Sequence, residues 1–544
     1  MIKLKLKWVS EAIGEEYKEW KKGDIIKILA QTGTGKTFFI KSKLVPYMKP
    51  WERMLIAANR INLKRQLKKD LLEYYNQEIP KTLKELDNLT TIGNVTILSY
   101  QQISELKKAD KYELNKLDLG YYSYIICDEC QFFFSDASFN NKCHLAWQGL
   151  VQAWHRDTIK IFISATMDEV EETIDMAVDA IQDAGVGEEV KCSLFKYSTN
   201  IDYSYLNIKY FRNIKDIATL IKNDISNDKW LVFVTKKDDA KYMKEHIEKK
   251  KKVSIITKDT DINKSIDLQT IITESKYECD VLICTKAMDN GINIADDLVK
   301  NVVIMAWDKI SFIQELGRIR IDINNASTIN LYIPTMSWSS FNTLLKKQYE
   351  CKEKLIEFYQ ENRIKFNAKY DYEYEKLPRD IFILDKDEGW KINIIGHIRL
   401  VNDRRFATEM CDKFGEKENT EANIFAYIKE QLNWIEQGHT FNKLNLIQDV
   451  IDDEEVETLK KYLEKHVNEK LFKEQQQELC NLIIKELTTF GNNADYRTKI
   501  LKPNTLENIL RIQLRLPYAV SKSKQENKGE MRNKRYIVIT KIKN

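Results

Sequence analysis

The stretch Ala30-Gln31-Thr32-Gly33-Thr34-Gly35-Lys36-Thr37 constrains this chain more than any other. An apolar run, Ile25, Ile26, Ile28 and Leu29, precedes it and reads as a buried strand. Phe38, Phe39, Ile40 and Leu44 follow at a spacing that suits a helix. Strand, glycine loop and helix in that order form a phosphate cradle. Gly33 and Gly35 let the backbone curl around Thr34 so that N–H groups face phosphate oxygens, and the helix start adds partial positive charge. In that arrangement Lys36 reaches the β- and γ-phosphates of ATP, and the Thr37 hydroxyl holds Mg2+.

Beyond the loop, short apolar strands alternate with amphipathic helices. Met54–Ala58, Thr96–Tyr100, Tyr124–Cys127 and Lys160–Ile163 read as strands, and a helix carries Ile61, Leu63, Leu67, Leu71 and Tyr75 near one face. This rhythm predicts a parallel sheet covered by helices, over residues 1–197, with ligands at the carboxyl ends of its strands. Asp128-Glu129-Cys130-Gln131 stands at one such end. Asp128 is placed to hold Mg2+, and Glu129 to orient and deprotonate an attacking water. Cys127-x-x-Cys130 with Cys143-His144 lacks the second well-spaced pair of a zinc site. Cys127, Cys279 and Cys284 read instead as small buried thiols of a reducing cytosol.

Ser164-Ala165-Thr166 ends a further strand and completes an ordered set: A-x-T-G-x-G-K-T, D-E-x-x, S-A-T. With this set the chain resembles the superfamily 2 nucleic-acid helicases of the DExD/H type. The resemblance implies two RecA-like lobes, with Ser164 and Thr166 coupling the state of ATP to lobe closure. Two departures stand out. The fourth residue of the second motif is Gln131, and no upstream glutamine reads as an adenine-recognising element. The segment from Asn59 and Arg60 to Gln66 resembles the family's first nucleic-acid-contacting motif, which makes Arg60 and Gln66 candidate contacts.

From 198 to 340 the strand–helix pattern restarts without a glycine loop, as a second lobe facing the first. Thr285 to Asn293 resembles the fifth motif of the family. It makes Thr285 a candidate phosphate-backbone contact and Gly291 a point of close backbone approach. Gln314-Glu315-Leu316-Gly317-Arg318-Ile319-Arg320 resembles the sixth, Q-x-x-G-R-x-x-R. Arg318 matches its first arginine, the finger that stabilises a transferring phosphoryl group. The second should fall at Ile321, and Arg320 lies one position early. Gln314 would poise the γ-phosphate or the water.

Residues 341–544 read as a mostly helical accessory region. Its end carries a helix-like Thr505–Leu516 and two strand-like segments, Tyr518–Val520 and Arg535–Ile539. Residues 516–544 hold eight Lys or Arg against two acids. A winged-helix element gripping phosphates and a solvated basic tail both fit that pattern.

The chain's 544 residues suit about three domains. A formal charge of +4 excludes a global basic field, so nucleic acid must be held by local surfaces. No apolar run approaches membrane-spanning length, and Met1–Trp8 alternates like a strand and lacks the apolar block of a signal peptide. The expectation is a cytoplasmic, nucleic-acid-stimulated ATP hydrolase that uses ATP and Mg2+ to separate or move along DNA or RNA, single- or double-stranded. Protein partners from replication, repair or mobile-element transfer are compatible with it. The alternative is a nucleic-acid-dependent clamp or switch that closes with ATP and holds partners without processive unwinding.

Overall fold

The computed structural model describes residues 2–542, except 59–60, 111–116, 136–142, 154, 184–192, 258, 262–264, 286–292, 386–388, 416–423, 437–438, 448–458, 490–499, 515 and 530, and the side chains of 62–63, 108–110, 135, 484–489 and 512–513. The chain divides into two compact units. One takes Met1–Tyr210 with Ser226–Leu446, the other Phe211–Ile225 with Ile447–Asn544.

The first unit holds two parallel sheets. Strands β1 (Ile25–Leu29), β2 (Met54–Ala57), β3 (Thr91–Ile92), β4 (Val95–Leu98), β5 (Tyr124–Asp128), β6 (Ile159–Ser164) and β7 (Leu194–Ser198) are ordered β3-β4-β2-β5-β6-β1-β7. Only the β3–β4 pair is antiparallel. Every residue of β2, β5 and β6 is buried, as expected of strands covered on both faces. Val9, Ile26, Phe39 and Leu67 pack on one face, and Leu55, Phe133, Trp147 and Val170 on the other. Among the helices, α1 (Val9–Ile13) and α2 (Lys36–Phe39) flank the glycine loop, and α3 (Asp168–Asp183) follows β6. Lys27, buried in β1, is neutralised by Glu171 at 2.6 Å and Asp175 at 2.8 Å, both on α3.

Three local expectations are corrected. Ser99 and Tyr100 do not extend β4. Ser99 instead trades hydrogen bonds with Gln102, and Tyr100 opens a helix. Ile61, expected on the packed face of its helix, is exposed, whereas Leu67 and Leu71 are buried. Among the described residues of Met1–Trp8, 2–8, no regular strand forms. Ile2 makes a single antiparallel bridge to Ala326, and Leu4 N–H donates to Ile323 O at 2.9 Å.

The second sheet contains β8 (Leu206–Phe211), β9 (Lys229–Phe233), β10 (Val253–Ile256), β11 (Val281–Cys284), β12 (Val299–Ile304) and β13 (Ile329–Pro334), ordered β10-β11-β9-β12-β13-β8, with the short strand Leu446–Ile447 at the edge beside β8. Strands β9 to β13 pair in parallel. Helix α4 (Lys309–Leu316) follows β12. The fold is therefore two parallel-sheet α/β lobes followed by a helix-rich region. Helix α5 (Ile394–Phe414) ties the lobes together: Ile395 is buried in the first lobe's core, and Leu400, Ala407, Met410 and Phe414 in the second's.

The second unit has a separate core around Leu463, Leu479, Leu510 and Ile537.

Candidate nucleotide site between the lobes

The glycine loop leaves β1 and turns through two left-handed residues, Gly33 at φ 91° and Gly35 at φ 79°, which glycine adopts without a steric penalty. Thr34 is fully buried and its hydroxyl donates to Gln31 O at 2.7 Å. Gln31 is fastened to the segment that leads out of the first lobe: Nε2 donates to Asp202 O at 3.0 Å, Oε1 accepts from Asp202 N–H at 2.8 Å, and its own N–H reaches Thr199 Oγ1 at 3.1 Å. On the other side, Val9 N–H donates to Thr34 O at 2.9 Å, and a Cβ built on Gly35 would lie 3.0 Å from the Trp8 ring. The loop is thus braced from both flanks.

At the end of β5 the two carboxylates meet the loop. Lys36 Nζ lies 2.7 Å from Glu129 Oε1 and 4.0 Å from Asp128 Oδ1, with both acid side chains at most 7% exposed. Gln131 Nε2 donates to the other Glu129 oxygen at 2.6 Å. Glu129 sits at φ 52°, a left-handed conformation that costs a non-glycine residue about 1–2 kcal/mol. Buried charges of this kind persist only when paired, and here the ammonium supplies the compensation.

Asp128 and Thr37 offer the hard oxygen donors that suit Mg2+, which takes only one or two protein ligands beside phosphates. Among the described residues no group of three or more His, Cys, Asp or Glu is arranged to hold a metal alone. Burial pushes the Cys127 thiol up to about 12 and raises Cys130 well above the ordinary thiol range, so neither supplies a thiolate at neutral pH.

Ser164 and Thr166 are buried where β6 ends, and Thr166 N–H donates to Ser164 Oγ at 2.9 Å. Two residues further, at the start of α3, Asp168 pairs with Lys309 of the second lobe, and Glu169 lies 3.6 Å from the same ammonium. Burial lowers the affinity of Lys309 for its proton, but Asp168 and Glu169 outweigh it and hold the value above that of an ordinary lysine. Burial raises Glu169 above the usual carboxylate range.

Lys309 begins α4, whose N-terminus Asp308 caps by accepting from Ser311 N–H at 2.8 Å. Gln314 is half-buried on this helix, Arg318 is 1% exposed just past it, and Arg320 is half-buried. The segment is pinned by backbone exchange with Ile294, which donates to Arg318 O and accepts from Arg320 N–H, both at 2.8 Å. Gly317 abuts the loop of the first lobe, where a Cβ would stand 2.5 Å from Thr32 Oγ1. The structure thus brings together Gly33, Thr34, Gly35, Lys36, Thr37, Asp128, Glu129 and the backbone that carries Arg318.

Other candidates lie elsewhere. Gln66 is exposed on its helix and donates to Asp70 at 3.0 Å. Thr285 is half-buried just past β11, its N–H donating to Ile256 O at 3.2 Å. Arg60 and Gly291 fall outside the described residues. A cavity of about 350 Å3 opens at the joint of the lobes with α5, lined in part by Trp307, Lys309, Arg399, Phe406 and Trp434, and none of its lining residues belongs to the glycine loop.

Sequence reasoning missed three features of this site: the Trp8–Val9 brace, the Gln31–Asp202 exchange and the Lys309 bridge. Each joins segments distant in the chain, and only Trp8, an aromatic at the end of an alternating run, carried any local signal.

Two family models match the chain. One, described as type III restriction enzyme, res subunit, matches residues 6–169, and the other, described as helicase conserved C-terminal domain, matches residues 212–322, together just over half of the sequence. No curated protein matches by sequence. Among solved structures, S. cerevisiae Dbp5 bound to RNA and ADP BeF3 is similar at 17% identity over 59% of this chain and 81% of that one, with a TM-score of 0.41. A DEAD box protein from the hyperthermophile Methanococcus jannaschii is similar at 18% identity over 59% of this chain and 84% of that one, TM-score 0.32. The Escherichia coli DEAH/RHA helicase HrpB is similar at 12% identity over 76% of this chain and 51% of that one, TM-score 0.39.

Proposed function

The chain belongs to superfamily 2 of the helicases, and from that membership we propose that it is a nucleic-acid-dependent ATPase that couples hydrolysis to strand separation or to movement along a strand. The observation that carries the reading is the approach of Gly317 to Thr32, which sets the backbone of Arg318 beside the loop that would hold the phosphates. ATP would lie between the lobes. Lys36 would leave Glu129 for the β- and γ-phosphates, freeing that carboxylate to orient a water and take its proton. Asp128 and Thr37 would hold Mg2+, which neutralises charge on the phosphates. Arg318, with Gln314, would act from the second lobe, so that the site is complete only when the lobes are together. Such chemistry needs positioning and charge stabilisation above all.

Hydrolysis would reach the lobe interface through the short path from Ser164 and Thr166 to Asp168 and then Lys309. Residues 1–197 and 198–340 would be the two motor lobes, and 341–544 the accessory region. The test is ATP hydrolysis with and without single- and double-stranded DNA and RNA, followed by displacement assays on forked and tailed duplexes. Stimulated hydrolysis with displacement supports a helicase. Stimulated hydrolysis with no displacement on any substrate assigns the chain to the clamp class, and hydrolysis indifferent to every nucleic acid overturns the reading.

A further inference from the structure

Within the second unit, which also takes in the helix Ile214–Asn223, residues 459–541 have the element order and strand pairing of a winged helix. Leu459–Lys465 is its first helix, Lys470–Leu471 a short strand and Lys473–Thr489 its second helix. Pro503–Asn508, continued by the wider turns of Ile509–Gln513, is the third. Tyr518–Val520 then runs out and Arg535–Lys541 returns antiparallel, with Val520 opposite Ile539. Lys470–Leu471 pairs along the returning strand, Leu471 opposite Ile537. The segment between them is the wing, closed at its base by Lys524 opposite Tyr536 and Gln525 opposite Arg535. Gly529, at φ 75°, has open space around it at the tip.

The wing is strongly cationic. Lys522, Lys524, Lys528, Arg532, Lys534 and Arg535 are all exposed. Glu526, the acid described among them, is taken up by Lys470. On the third helix Leu506, Ile509 and Leu510 are buried, while Asn504 and Asn508, at i and i+4 on one face, and Arg511, in the wider turns that follow, are exposed. Arg511 also contacts Glu507 at 3.0 Å. Amides and guanidinium groups are the side chains that bond base edges, and the major groove of B-form DNA admits a helix, whereas that of A-form RNA is too deep and narrow. A membrane surface would call for apolar side chains on the wing, where Met531 is the one exposed large hydrophobic residue described.

We propose that this unit is a double-stranded DNA-binding module, with Asn504, Asn508 and Arg511 facing base edges and the wing cations on flanking phosphates. The proposal goes beyond the motor reading and is independent of it, because it requires no nucleotide.

The test is equilibrium binding of the full chain, without nucleotide, to a fluorescent DNA duplex across a range of salt. Replacing Lys522, Lys524, Lys528 and Arg532 by Ala should weaken binding at least about tenfold at low salt. It should also flatten the plot of log affinity against log salt by about 0.9 for each phosphate that is no longer neutralised. Asn504→Asp with Asn508→Asp, which leaves the wing intact, should weaken binding comparably. Wing-dependent binding measured without nucleotide does not depend on ATP turnover, which separates this proposal from failure of the motor reading. Unchanged affinity and slope in both sets, with unchanged thermal midpoints, would overturn it. So would equal wing-dependent binding to duplex RNA or to phosphatidylserine vesicles.

Discussion

Gly317 of the second lobe rests directly on Thr32 of the glycine loop: a Cβ at 317 would stand 2.5 Å from Thr32 Oγ1 and 3.1 Å from Thr32 Cβ. Gly317 has φ −69° and ψ −2°, an ordinary helical conformation. The close approaches, and not an unusual φ, therefore favour glycine there: Thr32 of the other lobe and, at 3.2 Å, Ile313 O of its own helix. Gly317→Ala is expected to force the lobes apart at this point at a cost of about 1–3 kcal/mol, as overpacking does, and to lower ATP turnover. Thr32→Ala in the same chain should recover part of the loss, since it removes the nearer atom. Turnover unchanged in Gly317→Ala would show that the contact does not control the site.

Lys36 and Glu129 form a close ion pair at 2.7 Å that, in the proposed function, separates when nucleotide is held. Glu129→Gln is expected to reduce turnover by about 10²–10⁴-fold, the range for loss of a general base, while ATP still binds. Lys36→Ala should abolish turnover. It should also destabilise the nucleotide-free protein, since it leaves Asp128 and Glu129 buried without their cation. The double variant Lys36→Ala, Glu129→Gln should regain part of that stability. Thermal unfolding of the three variants without nucleotide checks this, and equal midpoints would contradict it.

Lys309 bridges to Asp168 and Glu169, two to three residues beyond Thr166. Lys309→Met preserves the aliphatic stem and removes the charge. Nucleic-acid-stimulated kcat is expected to fall several-fold with little change in the KM for ATP, because the groups that would hold the nucleotide all stay in place. A change confined to KM would place Lys309 at the nucleotide instead.

Arg65 and Asp87 give a pH signature. Hydrogen bonds from the Arg65 guanidinium at 2.8 and 2.5 Å hold the Asp87 carboxyl below its usual range, against the opposing effect of burial. A carboxylate with a depressed value in the folded state contributes stability that is complete above the unfolded value, about 3.9. That contribution is lost as pH falls through the folded value. The stability difference between wild type and Asp87→Asn should therefore be constant from about pH 5 to neutrality and shrink below about pH 4, as urea titrations at several pH values would show.

The glycine loop, the acidic pair and the Ser-Ala-Thr strand end were legible because each is a run of consecutive residues whose local structure follows from its own pattern. Strand β7 was not, because it lies at a sheet edge and its burial alternates instead of forming an apolar block. Ile61 looked like a core position by spacing, yet six residues before Leu67 it lies about 120° around the helix from that buried side chain. Tyr100 looked like strand because aromatics favour strands, but the reciprocal Ser99–Gln102 hydrogen bonds start a helix there. The Gln31–Asp202 exchange and the Gly317–Thr32 contact join residues far apart in sequence, and nothing in either local pattern encodes them. The basic tail, open between a wing and a solvated segment from sequence, folds because Val520, Ile537 and Ile539 reach a shared core with three helices.

The central claim is that Arg318 of the second lobe completes an ATP-hydrolysing site on the first, and ATP turnover of Arg318→Ala against wild type with saturating nucleic acid tests it most directly. The account predicts stimulated hydrolysis in the wild type and a loss on the order of 10³-fold or more in the variant, the scale for an arginine finger, with ATP affinity little altered. Turnover equal to wild type in Arg318→Ala, or no stimulation of the wild type by any DNA or RNA, would contradict it.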